Sequence, residues 1–216
     1  MATRRIGLLG GTFNPVHRGH IELGLNIGRD FGLERILYIL SARPPHKRRQ
    51  PLPPAKLRFA ILKKALRPYP RLQPCDIELH RPEYSWTVDT LDRLKEEFSG
   101  CAFYFITGSE GFLKIRTWKE YQRVLHSVIF IIVLRTPSHR RPVSAILAAE
   151  RIPLLTSPGQ ETGLPPGAFL HSYPADFLSL SSTLIRKKIV RGEDIRNLVG
   201  SEVRTMLEVY KPYEAQ

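Results

Sequence analysis

Cysteine is nearly absent: Cys75 and Cys101 are the only two in 216 residues, with no paired spacing. They exclude a disulfide scaffold and a cysteine zinc ribbon, and a reducing cytoplasm is the expected setting. Long apolar runs are missing too. None approaches the ~20 residues of a membrane span, and the stretch before the first glycines is too short for a signal peptide. Acid is the third shortage: 20 Asp and Glu face 33 Lys and Arg, a net charge of +13.

The imbalance is regional. Ser41–Cys75 holds ten bases (Arg43, Lys47, Arg48, Arg49, Lys56, Arg58, Lys63, Lys64, Arg67, Arg71) and no acid, and the remainder has 23 bases against 20 acids. Such a window calls for an anionic partner, either nucleic acid or small phosphorylated molecules. What is present is otherwise ordinary. With 42% hydrophobic and 25% charged residues the chain is globular rather than disordered. Its length suits one domain with its own core.

Short apolar runs predict strands at Ile6–Leu9, Ile36–Leu40, Ile77–Leu79, Ala102–Thr107, Val128–Leu134, Ile152–Leu155 and Phe169–Ser172. Between and after them, apolar spacing predicts helices over His20–Phe31, Ala55–Leu66, Val88–Phe98, Lys119–Leu125, Val143–Glu150, Thr183–Val190 and Glu202–Tyr210. Prolines 44, 45, 51, 53 and 54 mark a long loop, and a Pro/Gly-rich stretch precedes Phe169. Alternating strands and helices mean an α/β fold around a parallel sheet. Ligands bind such sheets at the carboxyl ends of the strands, near the switch in strand order.

The loop after the first strand reads GGTFNPVHRGH from Gly10 to His20. Gly10 and Gly11 allow close backbone approach to a phosphate, and a following helix would present free N–H groups to it. His17 and His20, three apart, are expected on one face of the first helical turn, where they could donate to phosphate oxygens. A solvated or structural pair is the plain alternative, and a zinc pair would need further ligands. Neither a GxxxxGK[ST] loop nor GxGxxG is present. Near the other end, Ser181 or Ser182 is an N-cap candidate for a helix whose early turns carry Arg186, Lys187 and Lys188. Cations there oppose the helix dipole by roughly 0.3–1 kcal/mol each, and a bound phosphate would reverse that sign.

Together these segments resemble the T/HxGH and ISSTxIR motifs of the nucleotidylyltransferase superfamily, with Leu180 in place of the first Ile. Class I aminoacyl-tRNA synthetases carry a related HIGH motif but are normally much larger. Pro44-Pro45-His46-Lys47, Tyr84-Ser85-Trp86-Thr87-Val88-Asp89-Thr90 and Gly108-Ser109-Glu110 with Trp118 are similar to segments of the bacterial nicotinate-nucleotide adenylyltransferases. Glu110 departs from the family's usual Asp, and Asn14 is a milder variation.

The resemblance implies a Rossmann-like parallel sheet with helices on both faces. One domain would span 1–216, with about 175–216 as a C-terminal helical part. It implies adenylyl transfer from ATP to nicotinate mononucleotide in NAD synthesis, without a covalent enzyme intermediate. His17, His20, Lys47 and Arg186 would carry catalysis. Gly10, Gly11, Thr12, Phe13, Ser182, Thr183 and Ile185 would bind ATP. Tyr84, Thr87, Gly108, Glu110, Trp118 and Arg135 would meet the mononucleotide. Mg²⁺ would arrive on the ATP phosphates, with no protein metal ligands. Nicotinamide mononucleotide is the nearest rival acceptor, phosphopantetheine a more distant one. A basic nucleic-acid-binding module is the rival of another class, and leaves both terminal motifs without a role. A homo-oligomer remains open.

Overall fold

The computed structural model describes residues 4–48, 51–158, 166–172 and 180–213. Arg49 of the basic window, part of the Pro/Gly-rich stretch and residues 175–179 of the expected C-terminal part lie outside them. Seven parallel strands form one sheet in the order β3-β2-β1-β4-β5-β7-β6. They are β1 (Arg4–Gly11), β2 (Arg35–Leu40), β3 (Leu72–Cys75), β4 (Cys101–Gly108), β5 (Ile129–Leu134), β6 (Leu154–Leu155) and β7 (Gly167–Ser172). Both faces are covered. Leu9, Tyr38, Ile106 and Ile131 point to one core, and their neighbours Leu8, Ile39, Phe105 and Ile132 to the other.

The first core is closed by α1 (Arg18–Asp30), α2 (Ala55–Leu66), α7 (Ser182–Val190) and α8 (Ser201–Tyr210). The second is closed by α3 (Thr87–Glu97), the short α4 (Ser109–Phe112), α5 (Tyr121–Leu125) and α6 (Arg140–Ala149). Ile185, Val203 and Leu207 share a core with the sheet, so α7 and α8 pack as part of the same body.

One expected strand is displaced. Ile77–Leu79 lies in turns, and the strand is Leu72–Cys75 instead, pairing Pro74 with Tyr38. Pro74 hid it: proline cannot donate to a ladder, but an edge strand needs only one bonded side. The chain reverses its strand order between β1 and β4, so the loops leaving them flank the switch point.

A glycine fixes how α1 sits on the sheet. A Cβ at Gly24 would lie 2.1 Å from the hydroxyl of fully buried Tyr38. That hydroxyl passes the helix there and donates to the His20 carbonyl at 2.7 Å. The start of α1 is thereby fastened to β2.

Candidate active site

A cleft of about 560 Å³ opens over the carboxyl ends of β1 and β4. Of the expected residues, Gly10, Gly11, Thr12, His20, Lys47, Thr87, Gly108, Trp118 and Arg135 line it. Unforeseen wall residues include Trp86, Glu78, Thr107 and Lys114.

The two histidines divide their roles. His17 is the N-cap of α1 with extended backbone, not a residue of its first turn, and is 6% exposed. Its ring stacks on His20 with centroids 3.7 Å apart. His20 Nδ1 accepts the His17 backbone N–H at 3.3 Å. A neutral His20 therefore carries its proton on Nε2, ready to donate. Burial drives both pKa values down, helped by Arg135; His17 falls to about 4, and His20, also beside His17, falls well below the ordinary value. The helix start itself is less open than expected. The Arg18 N–H is engaged with the Leu198 carbonyl at 2.9 Å.

Three cations gather on the loop after β1. Lys47 Nζ donates to Thr12 Oγ1 at 3.1 Å, Arg58 to the Thr12 carbonyl at 2.9 Å, and Arg186 to the Asn14 carbonyl at 2.7 Å. Among the described residues none of the three has an acidic partner. Burial lowers the Lys47 pKa, and Arg186 and Arg58 lower it further. Such a cluster gains from an added anion, because each cation now repels its neighbours across partly dry protein. Arg58 was counted only as a window charge. It is 2% exposed and donates to the carbonyls of Thr12, Ser41, Ala42 and Pro53, tying the loops after β1 and β2 to α2. Tyr213 closes the same group: its hydroxyl donates to Asn14 Oδ1 at 2.7 Å. Neither role has a local sequence signal, since each spans many residues.

Helix α7 starts as expected, with Ser181 Oγ accepting the Leu184 N–H at 3.1 Å. Ser182 Oγ donates to the Pro15 carbonyl, and Thr183 Oγ1 accepts from Arg186. The side chains of two expected ATP contacts, Phe13 and Ile185, are buried in the core, Phe13 against His20 and Tyr38. The left-handed backbone at Phe13 (φ 42°) makes that inward turn.

Trp86 and Trp118 bring aromatic surface to the cleft, Trp118 set edge-on to Phe105 at 5.8 Å. Thr87 begins α3, whose first N–H groups lack intrahelical acceptors. Tyr84 lies outside this wall. It lines a second hollow beneath Arg48, whose guanidinium is 4.1 Å from its ring. Glu110 also stands off the wall, half-exposed and paired with Arg135 at 3.4 Å. No group of three or more metal-ligating side chains occurs among the described residues, and no helix there is long and apolar enough to cross a membrane.

The cytidylyltransferase-like family model matches residues 8–188. A Desulfitobacterium hafniense protein named "Probable nicotinate-nucleotide adenylyltransferase" is 34% identical over 95% of this chain and 93% of its own. A Thermus thermophilus protein of the same name is 31% identical over 97% and 99%. The chain belongs to the nicotinate-nucleotide adenylyltransferase family. Among solved structures, a Plasmodium falciparum nicotinic acid mononucleotide adenylyltransferase complexed with NaAD superposes with a TM-score of 0.75. It is 19% identical and covers 97% of both chains, a likeness of fold. As a nucleotidyltransferase of this family, the chain joins its β1 loop and α7 motifs, 172 residues apart, at the Asn14–Arg186 contact.

Proposed function

We propose that this chain transfers the adenylyl group of ATP to nicotinate mononucleotide, forming nicotinate adenine dinucleotide and pyrophosphate. The observation that carries the proposal is a cleft over the carboxyl ends of β1 and β4 that Lys47, Trp86 and Trp118 line together, with Arg58 and Arg186, like Lys47 without acidic partners among the described residues, bonded to the β1 loop beside it. A polyphosphate suits the cations and a flat ring suits the tryptophans. The start of α3 supports an ionised ring carboxylate, because the positive helix end favours an anion over a neutral amide.

The reaction needs no protein nucleophile. The acceptor phosphate, with a second pKa of about 6, is largely ionised at neutral pH. Its oxygen attacks the α-phosphorus in line, the bond to the β-phosphate breaks, and pyrophosphate departs. His20, protonated on Nε2, donates to an α-phosphate oxygen as charge builds there. His17 supports His20 by stacking and through its N–H. Lys47 and Arg186 balance the departing charge, with Gly10, Gly11, Thr12, Ser182 and Thr183 shaping the phosphate end. Gly108, Thr87, Trp118 and Arg135 shape the acceptor end. Mg²⁺ enters on the ATP phosphates; a cationic loop is a poor holder of free metal but accepts the metal–polyphosphate, which stays anionic.

The test is pyrophosphate release with Mg-ATP and each of three acceptors: nicotinate mononucleotide, nicotinamide mononucleotide and phosphopantetheine. The first is expected to turn over fastest. His20→Ala and Arg186→Ala should each lower kcat by about 10²-fold or more while retaining a cooperative thermal transition. Unchanged turnover in both variants, or preference for phosphopantetheine, would overturn the proposal.

A further inference from the structure

Glu78 is a buried carboxyl that the reaction does not use. It is 6% exposed, sits in the turn after β3, and contributes to the cleft wall beside Ser85, Trp86, Thr87 and Thr90. Oε1 lies 2.7 Å from Thr90 Oγ1, and that hydroxyl lies 3.1 Å from the Trp86 carbonyl. Oε2 is buried with no hydrogen-bond partner. An ionised carboxylate in this position would leave one oxygen dry and unpaired, which is costly. Thr90 Oγ1 donates to Oε1 and also lies within reach of the Trp86 carbonyl, so the carboxyl is tied to the start of α3 through one hydroxyl. Burial raises the Glu78 pKa, against the opposing pull of the neighbouring Ser85, Thr90 and Arg81.

The surroundings show what this tie holds. The Ser85 N–H donates to the Arg43 carbonyl at 3.0 Å, and Ser85 Oγ accepts the Arg43 N–H at 3.1 Å, joining the segment to the loop after β2. Asp89 of the same helix turn binds Lys119 Nζ at 2.9 Å, next to Trp118, and Arg81 at 3.4 Å. The first turn of α3 is thus braced from both walls of the acceptor end. Glu78 is the brace from beneath.

Resting on the acceptor assigned above, we propose that Glu78 is a positioning residue for the mononucleotide. Through Thr90 it sets the Trp86–Thr87 backbone that receives the pyridine ring and its carboxylate.

The cleft supplies its own reporter: the chain has two tryptophans, Trp86 and Trp118, and both line it. Glu78→Ala should raise KM for nicotinate mononucleotide at least tenfold, leave KM for ATP within twofold, and weaken the fluorescence titration with the mononucleotide alone. Glu78→Gln, whose amide oxygen can accept from Thr90 Oγ1 in the same place, should restore both readouts. Thr90→Val should repeat the Ala pattern from the other side, which covers the case of an unfolded Ala variant. Equal effects on both KM values, no effect on either, or a Gln variant no better than Ala would overturn the role. If the wild type adenylylates another acceptor instead, the acceptor assignment alone falls. The same KM ratio is then read with that acceptor, and a ratio unchanged in the variants overturns the role of Glu78.

Discussion

At the residue scale, the site is built from side chains held in states that water would not favour. His17 illustrates the cost. Its folded pKa near 4 lies below the ordinary 6.5, so the unfolded chain binds the proton more readily. Stability present above pH 6.5 is therefore lost as pH falls toward 4. Between pH 7 and pH 5 the expected loss is on the order of 2 kcal/mol from this group alone. His20 adds to it with the same sign. Urea unfolding at the two pH values would measure this, with His17→Asn showing the shallower dependence. Equal pH slopes in the two proteins would refute the account. Both histidines are neutral near pH 7, which suits donation from Nε2 without an ionisation in the working range.

At the scale of elements, α1 is placed by one contact through a missing side chain. Gly24→Ala puts a methyl into the Tyr38 hydroxyl and disturbs its bond to His20. A loss of about 1–3 kcal/mol is expected, as for other overpacked sites, together with reduced kcat. Tyr38→Phe removes the obstructing oxygen, so the double variant should be less destabilised than the sum of the singles; strict additivity in thermal unfolding would disprove the contact. The central strands were legible because uninterrupted runs such as Ile129–Leu134 have one physical meaning, burial on both faces. β3 was not, because Pro74 and partial burial remove that signal at an edge. The site divides the same way. Gly10–His20 and Ser181–Arg186 are contiguous and carry their pattern locally. Arg58, Glu78, Trp86 and Tyr213 act through partners set by packing, and a lone charge or ring in a sequence does not reveal its neighbours. Phe13 and Ile185 show the converse, core side chains embedded in the two motifs that meet at Asn14 and Arg186.

For the whole molecule, the regional charge acts at two distances. Lys47 and Arg58 are drawn into the site, whereas Lys56, Lys63, Lys64 and Arg67 remain exposed along α2 and the turn after it. An exposed set of one sign is expected to draw anionic substrates from a distance. With a Debye length of about 10 Å at 0.1 M salt, raising ionic strength should lower kcat/KM severalfold while kcat holds within about twofold. Replacing Lys63, Lys64 and Arg67 by Gln should flatten that dependence; an identical salt profile would show that the window has no steering role. The Tyr213–Asn14 bond bears on timing as well as shape. It joins residues 199 positions apart, and Arg186 reaches the same asparagine. The histidines stand near residue 20, whereas two of the groups that hold their loop follow more than 160 residues later. The loop takes its bound form only when distant parts of the chain have met, which makes the pocket a product of tertiary closure rather than of local folding.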